Sequence, residues 1–303
     1  MGAMSVRVPR SLDELVAALA TEPGSELLAG GTDLMVEVNF GRRRPESVLS
    51  VTRVPQLQGW HTEEGTGDLV LGAALTYTEM LEPPLAGLLP ALAHAARTVG
   101  SPQIRNAGTV GGNLATASPA GDTLPVLLAL GAVVVTEAVD GRRELPLAQF
   151  VLGPKQSALR PGEVICSVRV PAAAAAARQE FVKVGTRNAM VIAVCSAAVV
   201  IDPAARSVRV GLGSVGPVPL GAPEAEALAE ASLDWERGGT LPPGSAAAER
   251  LLREFAELVS AAARPIDDHR SSAAYRRHAV GVCAARALGR LAGAVAPPEQ
   301  VAS

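Results

Sequence analysis

Leu28-Ala29-Gly30-Gly31-Thr32-Asp33-Leu34 is followed further along the chain by Ile104-Arg105-Asn106-Ala107-Gly108-Thr109-Val110-Gly111-Gly112-Asn113, and the reading of these two glycine-rich segments decides the fold. The first comes after a short apolar run, Glu26–Ala29, and before a brief helical pattern through Leu34, Met35 and Val38, with Thr32 as its expected N-cap. Past a break at Gly41–Pro45, Val48-Leu49-Ser50-Val51 supplies a second short strand. Strand, paired glycines, helix and strand make a small βαβ unit. Adjacent glycines let backbone N–H groups approach an anion closely, and a following helix N-terminus adds a favourable dipole. Either pair alone reads as a tight turn. Together with the polar tail Ala117-Ser118-Pro119-Ala120-Gly121-Asp122, two converging segments read as a cradle for a diphosphate that needs no lysine.

Outward from these segments the period changes several times. Ser11 with Glu14 makes a capping box for a helix over 11–20, whose apolar face is Leu12, Leu15, Val16 and Leu19. Leu57–His61 and Leu69–Ala73 flank a turn at Glu64–Gly67 and read as a hairpin. A helix over Leu88–Val99 leads into the glycine-rich stretch, and a short helix covers Leu124–Leu130. Ala132–Ala138 and Glu144–Leu147 form a second hairpin about Asp140-Gly141, and Glu163–Val170 is a further strand. The alanine tract Ala172–Ala177 is the expected boundary. Beyond it come three strand-like runs, Glu180–Gly185, Met190–Ile201 and Ser207–Leu212, and then helices over Glu224–Ala231, Ala246–Ala262 and Ser271–Leu291.

Composition narrows the function classes. The 303 residues are 48% hydrophobic and 19% charged, which excludes a disordered chain, and aromatics at 3% leave the core to Val, Leu, Ile and Ala. With 27 basic and 30 acidic residues and no basic block, electrostatically driven nucleic-acid binding is not expected. The scattered Cys166, Cys195 and Cys283 form neither a disulfide framework nor a metal knuckle and suit a reducing cytoplasm. No apolar run reaches the ~20 residues of a spanning helix, and no secretory n-region and h-region open the sequence. The expectation is a cytoplasmic globular protein with no membrane span.

The strings LLAGGTDLM (27–35), SPQIRNAGTVGGNLATASPAGDTLPVLLALGA (101–132), KVGTRNAMVIAV (183–194) and PIDDHRSSAAYRRHAVGV (265–282) resemble the FAD-binding medium subunit of molybdenum hydroxylases. That group includes the xanthine dehydrogenase and aerobic carbon monoxide dehydrogenase flavoproteins. The resemblance implies an α+β fold: a PCMH-type FAD-binding domain made of a small βαβ subdomain (1–55) and an antiparallel α+β subdomain (56–175). A C-terminal domain (176–303) follows, a three-stranded antiparallel sheet with helices. It implies FAD as this chain's cofactor, contacted by Leu28, Ala29, Gly30, Gly31, Thr32, Asp33 and Leu34, and by Thr109, Val110, Gly111, Gly112 and Asn113. Asp122 matches the family's acidic FAD contact, with N-cap of the helix from Thr123 as its alternative role. Ile165 and Lys183 occupy strand positions that contact FAD in similar proteins. Arg187 and Ile192 fall near the flavin ring, where a cation favours reduced, anionic flavin. No residue is expected to be catalytic or to bind a metal.

The same resemblance implies partners: an iron–sulfur small subunit with [2Fe-2S] clusters and a molybdopterin large subunit, in a hetero-oligomer with NAD+ as a possible acceptor. SPQIRN, NFGRRRPE (39–46) and the two later strings lean towards the xanthine dehydrogenase type. The alternatives are a carbon monoxide dehydrogenase flavoprotein, another aromatic or aldehyde hydroxylase, a self-contained FAD oxidase with its own substrate pocket, and a flavin-binding scaffold. The formal GxGxxG at Gly211–Gly216 fails as a dinucleotide fingerprint, because Pro217 and Pro219 prevent the helix it must open. His61, His94, His269 and His278 lack metal-ligand spacing. The charges of 264–270 and 275–278 are expected to fix helices or a subunit interface.

Overall fold

The computed structural model describes residues 4–188 and 190–295. Ala189, next to the second strand-like run, and the ends of the first and third expected parts (1–3 and 296–303) lie outside the described residues. The chain opens with β1 (Ser5–Arg7), α1 (Leu12–Thr21), β2 (Glu26–Leu28), α2 (Leu34–Asn39) and β3 (Ser47–Ser50). These strands form a parallel sheet in the order β1-β3-β2. The βαβ unit is therefore present, extended by β1, whose three exposed residues gave the sequence no alternation to read. Ser11 caps α1 by accepting the Glu14 N–H at 3.1 Å, but Glu14 reaches back to the Arg10 N–H rather than that of Ser11. The N-cap of α2 is Asp33, not Thr32.

A five-stranded antiparallel sheet follows in the order β4-β5-β10-β6-β7. Its strands are β4 (Trp60–Thr62), β5 (Leu69–Gly72), β6 (Val133–Ala138), β7 (Gly141–Pro146) and β10 (Val164–Val170), so both hairpins form. Between β5 and β6 run α3 (Leu85–Leu88), α4 (Pro90–Arg97), α5 (Pro102–Ala107), α6 (Val110–Thr116) and α7 (Thr123–Ala129). The expected single helix over 88–99 is broken at Leu89, because the residue before a proline is pushed out of the α region. The glycine-rich stretch holds α5 and the start of α6. After β7 come α8 (Leu147–Phe150) and a small hairpin, β8 (Val151–Gly153) with β9 (Gln156–Ser157).

Past a short helix in the alanine tract, α9 (Ala172–Ala176), lies an antiparallel sheet β11-β12-β13: Arg178–Val184, Cys195–Asp202 and Ser207–Gly213. The strand expected from Met190 begins only at Cys195, since Met190 adopts φ 48° and the segment before Cys195 is a loop. Asp202 sets the next turn by accepting the N–H groups of Ala204 and Ala205. Helices α10 (Pro223–Ser232), α11 (Ala246–Ala262) and α12 (Ala273–Leu291) follow. Strand β12 is buried on both faces. Cys195, Ala197, Val199 and Ile201 join the core under α10–α12, while Ala198 and Val200 join Phe181 in the core of the five-stranded region. Arg276 ties α12 to this sheet through the Val194 and Ser214 carbonyls, both at 3.0 Å, and through Asp268. Gly211 presses so closely on Pro125 that a Cβ would lie 1.8 Å from its carbonyl oxygen, which makes the GxGxxG string a packing feature of a strand end. Cys166, Cys195 and Cys283 are buried, and His94 packs edge-on against Phe181.

Candidate cofactor site

The two glycine-rich segments meet. Gly30 lies so close to the end of α5 that a Cβ would stand 1.7 Å from the Ala107 carbonyl oxygen. Gly31 then turns the chain into α2 with φ +69°, a conformation glycine adopts without strain. Within the described chain, the backbone N–H groups of Gly30, Gly31, Thr32 and Asp33 have no acceptor. These are the donors the sequence pattern promised.

The second segment behaves differently. Thr109 caps α6 by accepting the Gly112 N–H at 3.0 Å. The Val110 N–H donates to Leu75, that of Gly111 to Ala73, and that of Asn113 to Thr109. Every one of these first-turn donors is already spent on the protein. Gly111 allows α6 to close on β5, since a Cβ would lie 2.7 Å from the Ala73 oxygen, and the Val110 side chain is fully buried in the core. Gly112 is the exception: beyond its own helix, an added Cβ would meet only Thr109 Oγ1, at 3.0 Å. Gly30 and Gly111 thus approach neighbouring backbone, whereas the sequence reading assigned their close approach to an anion.

Between the βαβ unit and the five-stranded sheet is a cleft of about 440 Å³. Its walls include Leu28 through Leu34, Thr109, Gly111, Gly112, Asn113 and Ile165. Val110, Asp122, Lys183, Arg187 and Ile192 do not line it. Asp122 and Lys183 instead find each other: Lys183 Nζ on β11 lies 2.6 Å from Asp122 Oδ2 and donates to the Thr98 carbonyl at 3.1 Å. Asp122 stands at the N-cap position of α7 but makes no cap hydrogen bond, so its expected second role is absent. Burial pushes its carboxyl up to about 6 against the opposing pull of Lys183, and its other oxygen, Oδ1, has no partner among the described residues. Arg187 donates to the Met190 carbonyl within the loop from β11 to β12, and Ile192 on that loop is 56% exposed.

Several wall residues carry no motif and escaped the sequence reading: Tyr77, Lys155, Arg160 and Glu163. Lys155 sits in the β8–β9 turn and pairs with Glu37 of α2 at 2.7 Å, linking the two sides of the cleft. Glu163 is buried and accepts from Arg143 Nε and Nη2, from the Thr136 hydroxyl, and from the Arg160 N–H. Burial alone would raise its carboxyl, but the Arg143 hydrogen bond and the other two donors hold it at about 2. A carboxylate held below its ordinary 4.5 stabilises the fold above that pH and ceases to do so as pH falls through about 2. Glu163→Gln is therefore expected to cost about 3 kcal/mol at pH 7, because it removes the charge that pairs with Arg143 and turns one of the two accepting oxygens into an amide donor facing N–H groups. The difference in Tm from the unmodified chain narrows below pH 4.5; a difference independent of pH refutes this account.

Fold and cleft together define an α+β protein that opens a ligand-sized cleft between a parallel βαβ unit and an antiparallel sheet. Residues 2–173 match the family model described as the FAD binding domain in molybdopterin dehydrogenase. The chain belongs to that family, as an FAD-binding medium subunit of the molybdenum hydroxylases. It is 31% identical to the carbon monoxide dehydrogenase medium chain of Hydrogenophaga pseudoflava, over 92% of this chain and 94% of that one. It is 34% identical to the nicotinate dehydrogenase FAD-subunit of Eubacterium barkeri, over 73% of this chain and 77% of that one. A crystal structure of a Cu,Mo-CO dehydrogenase in its cyanide-inactivated form superposes with a TM-score of 0.84 at 28% identity, covering 97% of this chain and 99% of that one. Among the described residues no helix is long and apolar enough to cross a membrane.

Proposed function

We propose that this chain is the FAD-carrying electron-transfer subunit of a hydroxylase of the xanthine dehydrogenase type, with NAD+ as acceptor. An iron–sulfur small subunit with [2Fe-2S] clusters and a molybdopterin large subunit complete the enzyme in this reading. The observation that carries it is the run of unpaired backbone donors at Gly30–Asp33, set in a cleft whose opposite wall is the second glycine segment. Leu28–Leu34 would hold the diphosphate through those N–H groups, while Thr109 and Gly111–Asn113 shape the facing wall and Ile165 closes the floor. Val110 supports that wall from the core. Asp122 Oδ1, a buried acceptor without a donor, suits a ribityl or ribose hydroxyl, and Lys183 keeps that carboxylate oriented. Arg187 and Ile192 would stand beside the flavin ring on their exposed loop. The division into 1–55, 56–175 and 176–303 belongs to the same proposal.

Bound FAD supplies the junction between single-electron carriers and a two-electron acceptor. The chain's own work is to bind it, orient it and set its electrostatics. Carbon monoxide and nicotinate are named for the two relatives above, so relatives of one family differ in substrate. In this reading the substrate meets only the large subunit, and the acceptor is what this chain decides.

Purified protein is expected to be yellow and to release FAD, not FMN, on denaturation. Alone it should oxidise no hydroxylase substrate, yet gain NADH formation once iron–sulfur and molybdopterin subunits are added. Colourless protein that takes up no FAD on reconstitution overturns the cofactor assignment. Substrate oxidation by the pure chain would identify a self-contained oxidase instead, and reduction of dyes but never of NAD+ would remove NAD+ as acceptor.

A further inference from the structure

Tyr77 stands where the two glycine segments meet. Its backbone N–H donates to the Gly108 carbonyl at 3.1 Å, and a Cβ on Gly108 would lie 2.7 Å from Tyr77 Cε2. Gly108 adjoins Ala107, the residue on which Gly30 presses, so the ring braces the junction of both segments. The side chain lines the cleft and is only 5% exposed, yet its hydroxyl has no hydrogen-bond partner among the described residues. The ring is buried while the hydroxyl is not among the sealed-off polar atoms, so it is a donor that a ligand entering the cleft would meet.

The neighbouring charges narrow what this hydroxyl can do. Burial raises the phenol above its ordinary ionisation range, and the carboxylates of Asp122 and of Asp33 push in the same direction. It therefore stays an O–H, a donor in need of an acceptor. The phenol and the unpaired N–H groups of Gly30–Asp33 line the same cleft, so a single oxyanion there can meet both kinds of donor. We propose that the Tyr77 hydroxyl donates a hydrogen bond to the diphosphate of FAD, as the side-chain donor that complements the backbone donors of Gly30–Asp33. This rests on the cofactor placement proposed above and adds a contact to it. A neutral hydroxyl brings donor strength without a cation, in keeping with two glycine segments that contain no lysine.

Tyr77→Phe isolates the hydroxyl, because the ring remains against Gly108 and the melting temperature of the apo chain should be unchanged. Titration of the full-length apo chain with FAD should show the dissociation constant rising about 10- to 100-fold in the variant. Phosphorus NMR of the bound cofactor should show one diphosphate resonance displaced between the two proteins, which a purely structural role of the ring would not produce. Unchanged affinity in Tyr77→Phe overturns the proposal. So does weaker binding with both phosphorus resonances unmoved, which would move the contact to another part of the cofactor. If the unmodified chain binds FAD but shows no phosphorus shift on binding, the placement of the diphosphate fails, and this contact with it.

Discussion

Gly30→Ala is expected to destabilise the protein by about 3 kcal/mol or more, at the upper end of what overpacking usually costs. The added methyl would fall 1.7 Å from the Ala107 carbonyl oxygen, and a backbone atom held at the end of α5 cannot swing aside as a side chain would. For a chain of 303 residues that corresponds to a fall in Tm of about 5 °C or more. Gly112→Val supplies the contrast. Its Cβ meets only Thr109 Oγ1 outside its own helix, so the fold should survive while the branched side chain enters the cleft and abolishes FAD retention. Thermal unfolding of both apo variants, with flavin content measured after reconstitution, separates the two effects. Gly30→Ala melting with the unmodified chain would remove the direct contact between the two segments.

Lys183→Met is expected to be the second large loss, about 3–5 kcal/mol at pH 8, since it leaves the buried Asp122 carboxylate without its counter-ion. The sign of the pH dependence follows from the direction of the Asp122 shift. A carboxyl raised from 3.8 to about 6 favours the fold fully below pH 3.8, and that contribution is lost as pH rises through about 6. Removing Lys183 removes the opposing pull, so the variant's deficit relative to the unmodified chain should be greatest at pH 8 and shrink towards pH 5. The double variant Asp122→Asn with Lys183→Met, which buries no charge at this position, should recover most of the stability at pH 8. Equal losses at pH 5 and pH 8, or no recovery in the double variant, would show that the pair is not the source of the effect.

Much of this architecture is local chemistry, and the sequence states it directly. Ser11 caps α1, Asp202 folds the turn into β13, and the two hairpins form where alternating apolar residues flank Gly-containing turns. The paired glycines were legible as two converging segments because backbone freedom is a property of the residue itself. Where the local signal was thin, reading failed: β1 is three exposed residues, Pro90 split a helix that apolar spacing had joined, and 190–194 are apolar without being a strand. Only the tertiary structure decided which glycine faces what. Gly30, Gly111 and Gly112 look alike in sequence, yet two are pressed against backbone and one borders open space. It also decided that the first segment keeps its N–H groups while the second spends them on Leu75, Ala73 and Thr109. Asp122 and Lys183 were each singled out in the sequence, but their pairing depends on α7 packing on the sheet that holds β11, and Tyr77 gained its place only when the segment after β5 bonded to Arg105 and Gly108 at the end of α5. A hydrogen bond's donor is written in the sequence, whereas its acceptor, its burial and the space beside it come from chain far away, so the residues of the cleft could be named but not their contacts.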